Sequence, residues 1–193
     1  MKYDEVIYRP PSEAYTLLLQ VTSGCSHNKC TYCNMYKDVL FKTESLEQIE
    51  KDLIEAKKTH KNTEKIYLLN GDPFSLSADK LKDIAKLIHK HLPNCQTISM
   101  YASISNIENK TMEELKELRA LGINDLYIGV ETGFDESLKH INKGNTSKEA
   151  IEQLQRLNEA SIEFISIIMY GVAGKGKGIA NALATAKLLN SVK

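Results

Sequence analysis

The chain alternates between short, almost unbroken apolar runs and longer stretches in which apolar positions return every three or four residues. The runs are Ala14 to Thr22, Ile66 to Leu69, Thr97 to Ser103, Leu126 to Glu131 and Glu163 to Tyr170, and each reads as a buried strand. The periodic stretches carry Leu46, Ile49, Leu53 and Ile54, then Leu81, Ile84, Ala85, Ile88 and Leu92. After these come Met112, Leu115 and Leu118, then Ile151, Leu154 and Leu157, and a last helix from Ile179 to Leu189. Helix starts are marked chemically. Ser45 with Gln48, Thr111 with Glu114 and Thr146 with Glu149 have capping-box spacing, and Ser77 is a cap for the second helix. Gly122 suits the residue just past a helix end, and Asn70-Gly71-Asp72-Pro73 reads as a sharp turn.

Five strand–helix units in a row predict an α/β fold in one domain, with an all-parallel sheet covered by helices on its outer face. In such sheets ligands bind beyond the carboxyl ends of the strands. Cys25 to Cys33, Asn70-Gly71-Asp72, Ser103-Ile104-Ser105, Glu131-Thr132-Gly133 and Gly171-Val172-Ala173-Gly174 all follow strands directly. The polar and glycine-rich departures from the pattern therefore fall on one rim, where an active site is expected.

Composition narrows the choice. The 193 residues are 42% hydrophobic and 26% charged, with 25 basic residues against 25 acidic ones. That balance leaves no basic footprint for nucleic acid and no polybasic membrane patch. No apolar run approaches membrane-spanning length, and Met1 to Pro10 contains no signal-peptide core. A disulfide framework is disfavoured by few, clustered cysteines. The expected compartment is the cytoplasm, where thiols stay reduced.

Three of the four cysteines, Cys25, Cys30 and Cys33, lie within nine residues, immediately after the first strand. Thiolates on one short loop converge on a soft metal or an iron–sulfur cluster. A structural zinc site uses four protein ligands, whereas three leave one position open for chemistry. The competing reading is a zinc knuckle completed by His27, or a redox sensor built on the same loop. Cys95 stands alone and reads as a small buried hydrophobe. Gly171 to Gly178 has four glycines and two lysines in eight residues, but Lys175 and Lys177 are each followed by glycine, against the order of a triphosphate-binding loop.

On these residues the chain resembles the radical S-adenosylmethionine (radical SAM) superfamily. Tyr127 to Asp135, followed by Lys143-Gly144, is similar to the branch with elongator-type tRNA modifiers, methylthiotransferases and oxygen-independent coproporphyrinogen oxidases. The superfamily motif is C-x3-C-x2-C with an aromatic residue before the third cysteine, a place Tyr32 fills. The first gap here holds four residues, Ser26 to Lys29, so the loop must bulge by one, which Asn28 tolerates.

The resemblance implies a partial parallel (β/α) barrel. It implies that Cys25, Cys30 and Cys33 hold three irons of a [4Fe–4S] cluster and that S-adenosylmethionine (SAM) chelates the fourth. It implies reductive cleavage of SAM to a 5′-deoxyadenosyl radical that takes hydrogen from a substrate, with an electron donor such as flavodoxin or ferredoxin. Asn70, Gly71 and Asp72 match the glycine-glycine-acid motif that meets the methionyl amine, with Asp72 one methylene shorter than the usual Glu. Glu131 corresponds to the acid facing ribose or the amine, Lys143 to a base pairing the SAM carboxylate, and Gly171 to the turn against adenine. Ser103 is a candidate ribose contact. An accessory subunit that binds cluster and SAM without turnover is the alternative. The superfamily core has six units, so residues 1–193 are expected to be the front of a longer core with an open edge liable to associate. With only Cys95 left over, an auxiliary cluster cannot be fully ligated within these residues, and no cobalamin-binding or tRNA-binding domain fits beside the core.

Overall fold

The computed structural model describes Tyr3 and residues 6–192. In chain order the strands are β1 (Leu17–Gln20), β2 (Thr22–Ser23), β3 (Lys42–Thr43), β4 (Lys65–Leu69), β5 (Thr97–Ala102), β6 (Ile123–Glu131) and β7 (Phe164–Ile168). The helices are α1 (Leu46–Thr59), α2 (Ala78–His91), α3 (Ile104–Glu108), α4 (Met112–Ala120), α5 (Asp135–His140), α6 (Ser147–Glu159) and α7 (Gly178–Asn190). Strands β1, β4, β5, β6 and β7 form one parallel sheet in that order. This is the partial (β/α) barrel expected from the strand–helix alternation. The pair β2–β3 is a separate antiparallel clip, too short to leave a pattern in the sequence.

Side-chain alternation assigns the two faces of the sheet. Leu17, Leu19, Ile66, Leu68, Ile98, Met100, Leu126, Ile128 and Val130 point outward into one core with Leu53, Leu81, Ile84, Leu115 and Leu154 of the helices. The helices start where their caps predict. Ser45 accepts from the Gln48 amide and Ser77 from the Lys80 amide, and reciprocal capping boxes form at Thr111 and Thr146. Gly122 follows α4 at φ +83°, and a Cβ there would meet the Gln96 carbonyl at 2.8 Å. Cys95 is buried, as expected of an inert thiol.

The inner face is aromatic and closed from below by the N-terminal segment. Tyr67, Tyr101 and Tyr127 contact one another edge to face, with ring centroids 5.9 to 6.2 Å apart. Here the structure corrects the first expected strand. Of Ala14 to Thr22 only Leu17–Gln20 joins the parallel sheet, Thr22 belongs to the β2–β3 clip, and residues 14–16 continue the 3₁₀ turn Pro11–Glu13. That turn places the Glu13 carboxylate wholly inside the barrel. Glu13 accepts from Tyr127 Oη (2.6 Å) and pairs with Lys65 Nζ (2.8 Å), which also reaches Asp125 (2.7 Å). Burial alone would raise the Glu13 pKa, but the bonds from Lys65, Thr16 and Tyr127 outweigh it and hold the carboxyl below its ordinary value. The base of the barrel is thus a satisfied polar plug, and chemistry is left to the opposite rim.

The last strand is also shorter than expected, ending at Ile168. Its inward residues Ile165 and Ile167 remain 44% and 38% exposed, and no strand pairs with the far edge of β7 among the described residues. An exposed apolar edge strand invites pairing with another chain. The 193-residue chain should therefore self-associate with rising concentration in analytical ultracentrifugation, and Ile167→Lys should suppress this. A wild-type chain that stays monomeric across the range would show that the edge is already protected.

Candidate active site

Each rim loop is built by short-range chemistry and then tied to its neighbours. In the cysteine loop Asn28 adopts φ +42°, the left-handed conformation that absorbs the extra residue between Cys25 and Cys30. Its side-chain amide donates to the Tyr36 carbonyl at 2.7 Å. Tyr36 is buried, and its hydroxyl accepts from the Gly71 amide at 2.9 Å, joining the cysteine loop to the turn after β4. On the other side, the Thr31 amide donates to Ile141 O (3.0 Å) and the Asn142 side chain to Lys29 O (3.1 Å). His27 Nε2 lies 2.9 Å from Asn142 O, so the ring is engaged with the backbone after α5.

These loops enclose a cavity of about 380 Å³ beyond the carboxyl ends of β4 to β7. Cys25, Cys30, Tyr32 and Cys33 form one wall, and Gly71, Asp72 and Ser103 continue it. Gly129, Glu131 and Lys143 adjoin Tyr32 of that wall, with Ile167 and Met169 of the β7 side as an apolar flank. Of the residues singled out by sequence, two lie outside this wall. The Asn70 side chain is fully buried with neither its amide nitrogen nor its oxygen bonded, and Gly171 occupies an exposed turn two residues past Met169 at φ +75°. Ser103 lines the cavity, but its hydroxyl also caps α3 by accepting from the Asn106 amide.

Burial sets the electrostatics. Desolvation pushes the Cys25 and Cys30 thiols above their usual pKa, so a cationic centre is needed to hold both as thiolates. Asp72 is 3% exposed. Its pKa is raised chiefly by burial, against hydrogen bonds from Ser26 and Asn106 and the charges of Lys110 and Lys143. No lysine, arginine or histidine pairs with it among the described residues. A buried carboxyl with no ion-pair partner, set on the wall of a cavity, is a receptor for an ammonium group, whose charge would hold it ionised. Beside the cysteine loop, Glu131 accepts from Lys143 Nζ and Tyr32 Oη at one oxygen, each at 2.8 Å. Burial, followed by the Glu131 charge, raises the Tyr32 pKa, which keeps its hydroxyl a donor.

The Glu131–Lys143 pair is buried, the two side chains being only 7% and 11% exposed. Gly129 makes the pair possible. A Cβ on it would lie 2.5 Å from Glu131 Oε1 and 2.8 Å from Lys143 Nζ, a requirement that the apolar run of β6 conceals. Removing one partner of a buried pair leaves an uncompensated charge. Lys143→Ala should therefore cost about 3 kcal/mol of stability, measured by urea unfolding, rather than the small loss of a surface pair. A loss indistinguishable from that of Lys148→Ala, a surface residue, would contradict this.

The site fits the cofactors implied by the motif. Three thiols share one wall, Cys25, Cys30 and Cys33, and a fourth protein thiol does not line it. That geometry suits a polynuclear cluster, whose irons each take one thiolate, better than zinc. The unpaired Asp72 carboxylate suits the SAM ammonium. The turn beside it is drawn close, since a Cβ on Gly71 would lie 2.2 Å from the Gly24 carbonyl oxygen.

A parallel partial barrel with three cysteines and an acid-lined cavity on its carboxyl rim defines an α/β fold of the cluster-binding kind. The chain belongs to the radical SAM superfamily, whose family profile matches residues 19–181. The proteins of this superfamily bind a [4Fe–4S] cluster and SAM. Among curated relatives, the heme chaperone HemW of Bacillus subtilis (strain 168) is 29% identical over 174 residues, covering 86% of this chain and 46% of that protein. The 4′-phospho-dehydrooxetanocin synthase of Priestia megaterium is 26% identical over 178 residues, covering 83% of this chain and 24% of that protein. The chain thus spans less than half the length of these relatives. Among solved structures, the cobalamin-dependent radical SAM enzyme OxsB with aqua-cobalamin superposes with TM-score 0.73 at 22% identity, over 90% of this chain and 26% of that one. Coproporphyrinogen III oxidase HemN from Escherichia coli gives TM-score 0.62 at 17% identity, over 90% and 41%. Both share its fold. No helix among the described residues is long and apolar enough to cross a membrane.

Proposed function

We propose that this chain is a catalytic radical SAM core in which Cys25, Cys30 and Cys33 carry the cluster. The observation that carries the reading is the convergence of the cysteine loop, the unpaired Asp72 and the Glu131–Lys143 pair on one cavity. When bound, cluster and SAM together supply reductive cleavage of the sulfonium bond to a 5′-deoxyadenosyl radical, fed by an electron donor of flavodoxin or ferredoxin type. The protein's part is to bind, orient and exclude water. Asp72 meets the methionyl ammonium. Ser103 and Glu131 face the ribose hydroxyls, and Lys143 is near enough to share its charge between Glu131 and the SAM carboxylate. Gly71 lets the backbone approach, with Asn70 behind it and Gly171 leading the turn on the adenine side. Tyr32 fixes the Glu131 carboxylate, and Ile167 and Met169 shield the reacting end. The reading puts the protein in the cytoplasm, and takes residues 1–193 as the front of a larger barrel whose remaining part selects the substrate.

A second reading has its own support, because relatives over most of this chain are named heme chaperones. In it the same site holds cluster and SAM, and the protein handles heme rather than turning over a substrate. Anaerobic reconstitution, then dithionite and SAM, separates the two. Steady formation of 5′-deoxyadenosine supports catalysis, while stoichiometric heme binding without 5′-deoxyadenosine supports the carrier.

A further inference from the structure

Directly behind Asp72 lies a charged group that no sequence motif marks. Lys110 follows α3 and is only 4% exposed. Its ammonium donates to Phe74 O (2.7 Å), Leu76 O (3.1 Å) and Asn106 O (3.3 Å), and sits 4.3 Å from the centroid of the Phe74 ring. Three carbonyls and a ring face satisfy a lysine fully. What they join is specific. Phe74 and Leu76 belong to the turn that begins at Asp72, whereas Asn106 is in α3, whose first residues carry Ser103 and Ser105 into the cavity. Arg156 of α6 braces the same corner from outside, donating to Ile107 O (3.2 Å) and to Lys110 O.

We propose that Lys110 is a positioning residue for SAM: by clamping the 72–76 turn to α3 it holds the Asp72 carboxyl aimed at the methionyl ammonium. This rests on the assignment of Asp72 given above. The lysine reaches no substrate itself and acts through Asp72. Burial lowers its pKa to about 8 against the opposing charges of Glu114 and Asp72, and a lysine is seldom buried unless its ammonium is bonded as this one is. A neutral residue of similar length would fill the space. It would still deprive three carbonyls of the lysine's donors and remove one of the two lysine charges, with Lys143, that act on Asp72.

The test is a double-mutant cycle on SAM affinity, measured anaerobically by calorimetry on the cluster-reconstituted protein. Lys110→Met should weaken SAM binding about tenfold while leaving iron and sulfide content unchanged. If Lys110 acts through Asp72, adding Lys110→Met to Asp72→Asn should change affinity by no more than about twofold. Lys110→Arg, which keeps charge and donors, should recover most of the loss. If Lys110→Met does not reconstitute, Lys110→Gln, which keeps a donor but no charge, enters the same cycle. Equal losses from Lys110→Met in the wild-type and Asp72→Asn backgrounds would overturn the proposal, because a merely structural lysine acts additively. Normal affinity in Lys110→Met beside a weakened Asp72→Asn would also overturn it, leaving the Asp72 assignment intact. Normal affinity in Asp72→Asn would instead remove that assignment and the proposal with it.

Discussion

Alanine in place of Cys30 should abolish the [4Fe–4S] cluster on an otherwise folded chain, and alanine at Cys25 or Cys33 should do the same. Each thiol is only partly buried and stands on the wall of one cavity. None supports the sheet, so the loss is one of ligation and not of folding. Two thiolates cannot hold a cubane that already leaves one iron to SAM, so the effect is close to complete. Cys95→Ala is the internal control. Cys95 is buried between α2 and β5, far along the chain from the loop, and its thiol pKa is pushed up to about 11 by burial. Iron and sulfide analysis after anaerobic reconstitution checks the set. Full iron and sulfide in Cys30→Ala would contradict the ligand assignment.

Asp72→Asn has two effects of opposite sign. It weakens SAM binding, since a charge-assisted bond to an ammonium is worth roughly 1.5–3 kcal/mol, or about ten- to a hundredfold in affinity. It also stabilises the cofactor-free chain. The direction follows from linkage. An acid whose pKa is raised on folding disfavours its own ionised form in the native state, so its contribution to stability is lost as pH climbs from the unfolded value through the folded one. At neutral pH the cofactor-free protein bears that cost, and asparagine removes it. The cofactor-free wild type should accordingly lose stability as pH rises above about 4, and Asp72→Asn should flatten this dependence. Thermal unfolding across pH, with and without SAM, reads both effects. A variant that binds SAM normally would return Asp72 to the role of a turn former before Pro73. Glu131→Ala is expected to weaken SAM as well, but it also strands Lys143, which makes Asp72 the cleaner position.

Much of this architecture was legible because it is local. The five buried runs, the helical stripes and the caps at Ser77, Thr111 and Thr146 need only short-range information, and the sheet order follows from parallel crossovers. The cysteine loop and the glutamate ending β6 were visible for the same reason. Elements too short to show a period were missed, among them α3, α5 and the β2–β3 clip. Long-range electrostatics were missed too. Glu13 reads as a residue in a polar lead-in, and only the fold brings it under Tyr127 and Lys65. The sequence motif assigns Lys143 to the SAM carboxylate, and only the fold shows it buried against Glu131 beside Gly129. Tyr36 and Lys110 join loops distant in sequence, so no spacing announces them. Asn70 and Gly171 belong to loops whose neighbours line the cavity without lining it themselves.

The central claim is that one loop of three cysteines and one rim of acids build a joint site for cluster and SAM. Mössbauer spectroscopy of the chain reconstituted with ⁵⁷Fe, before and after SAM is added, tests it most directly. The account predicts a single [4Fe–4S] cluster in which SAM shifts the signal of one iron and leaves the other three unchanged. A spectrum in which SAM moves no iron, or a chain that retains none, would contradict it.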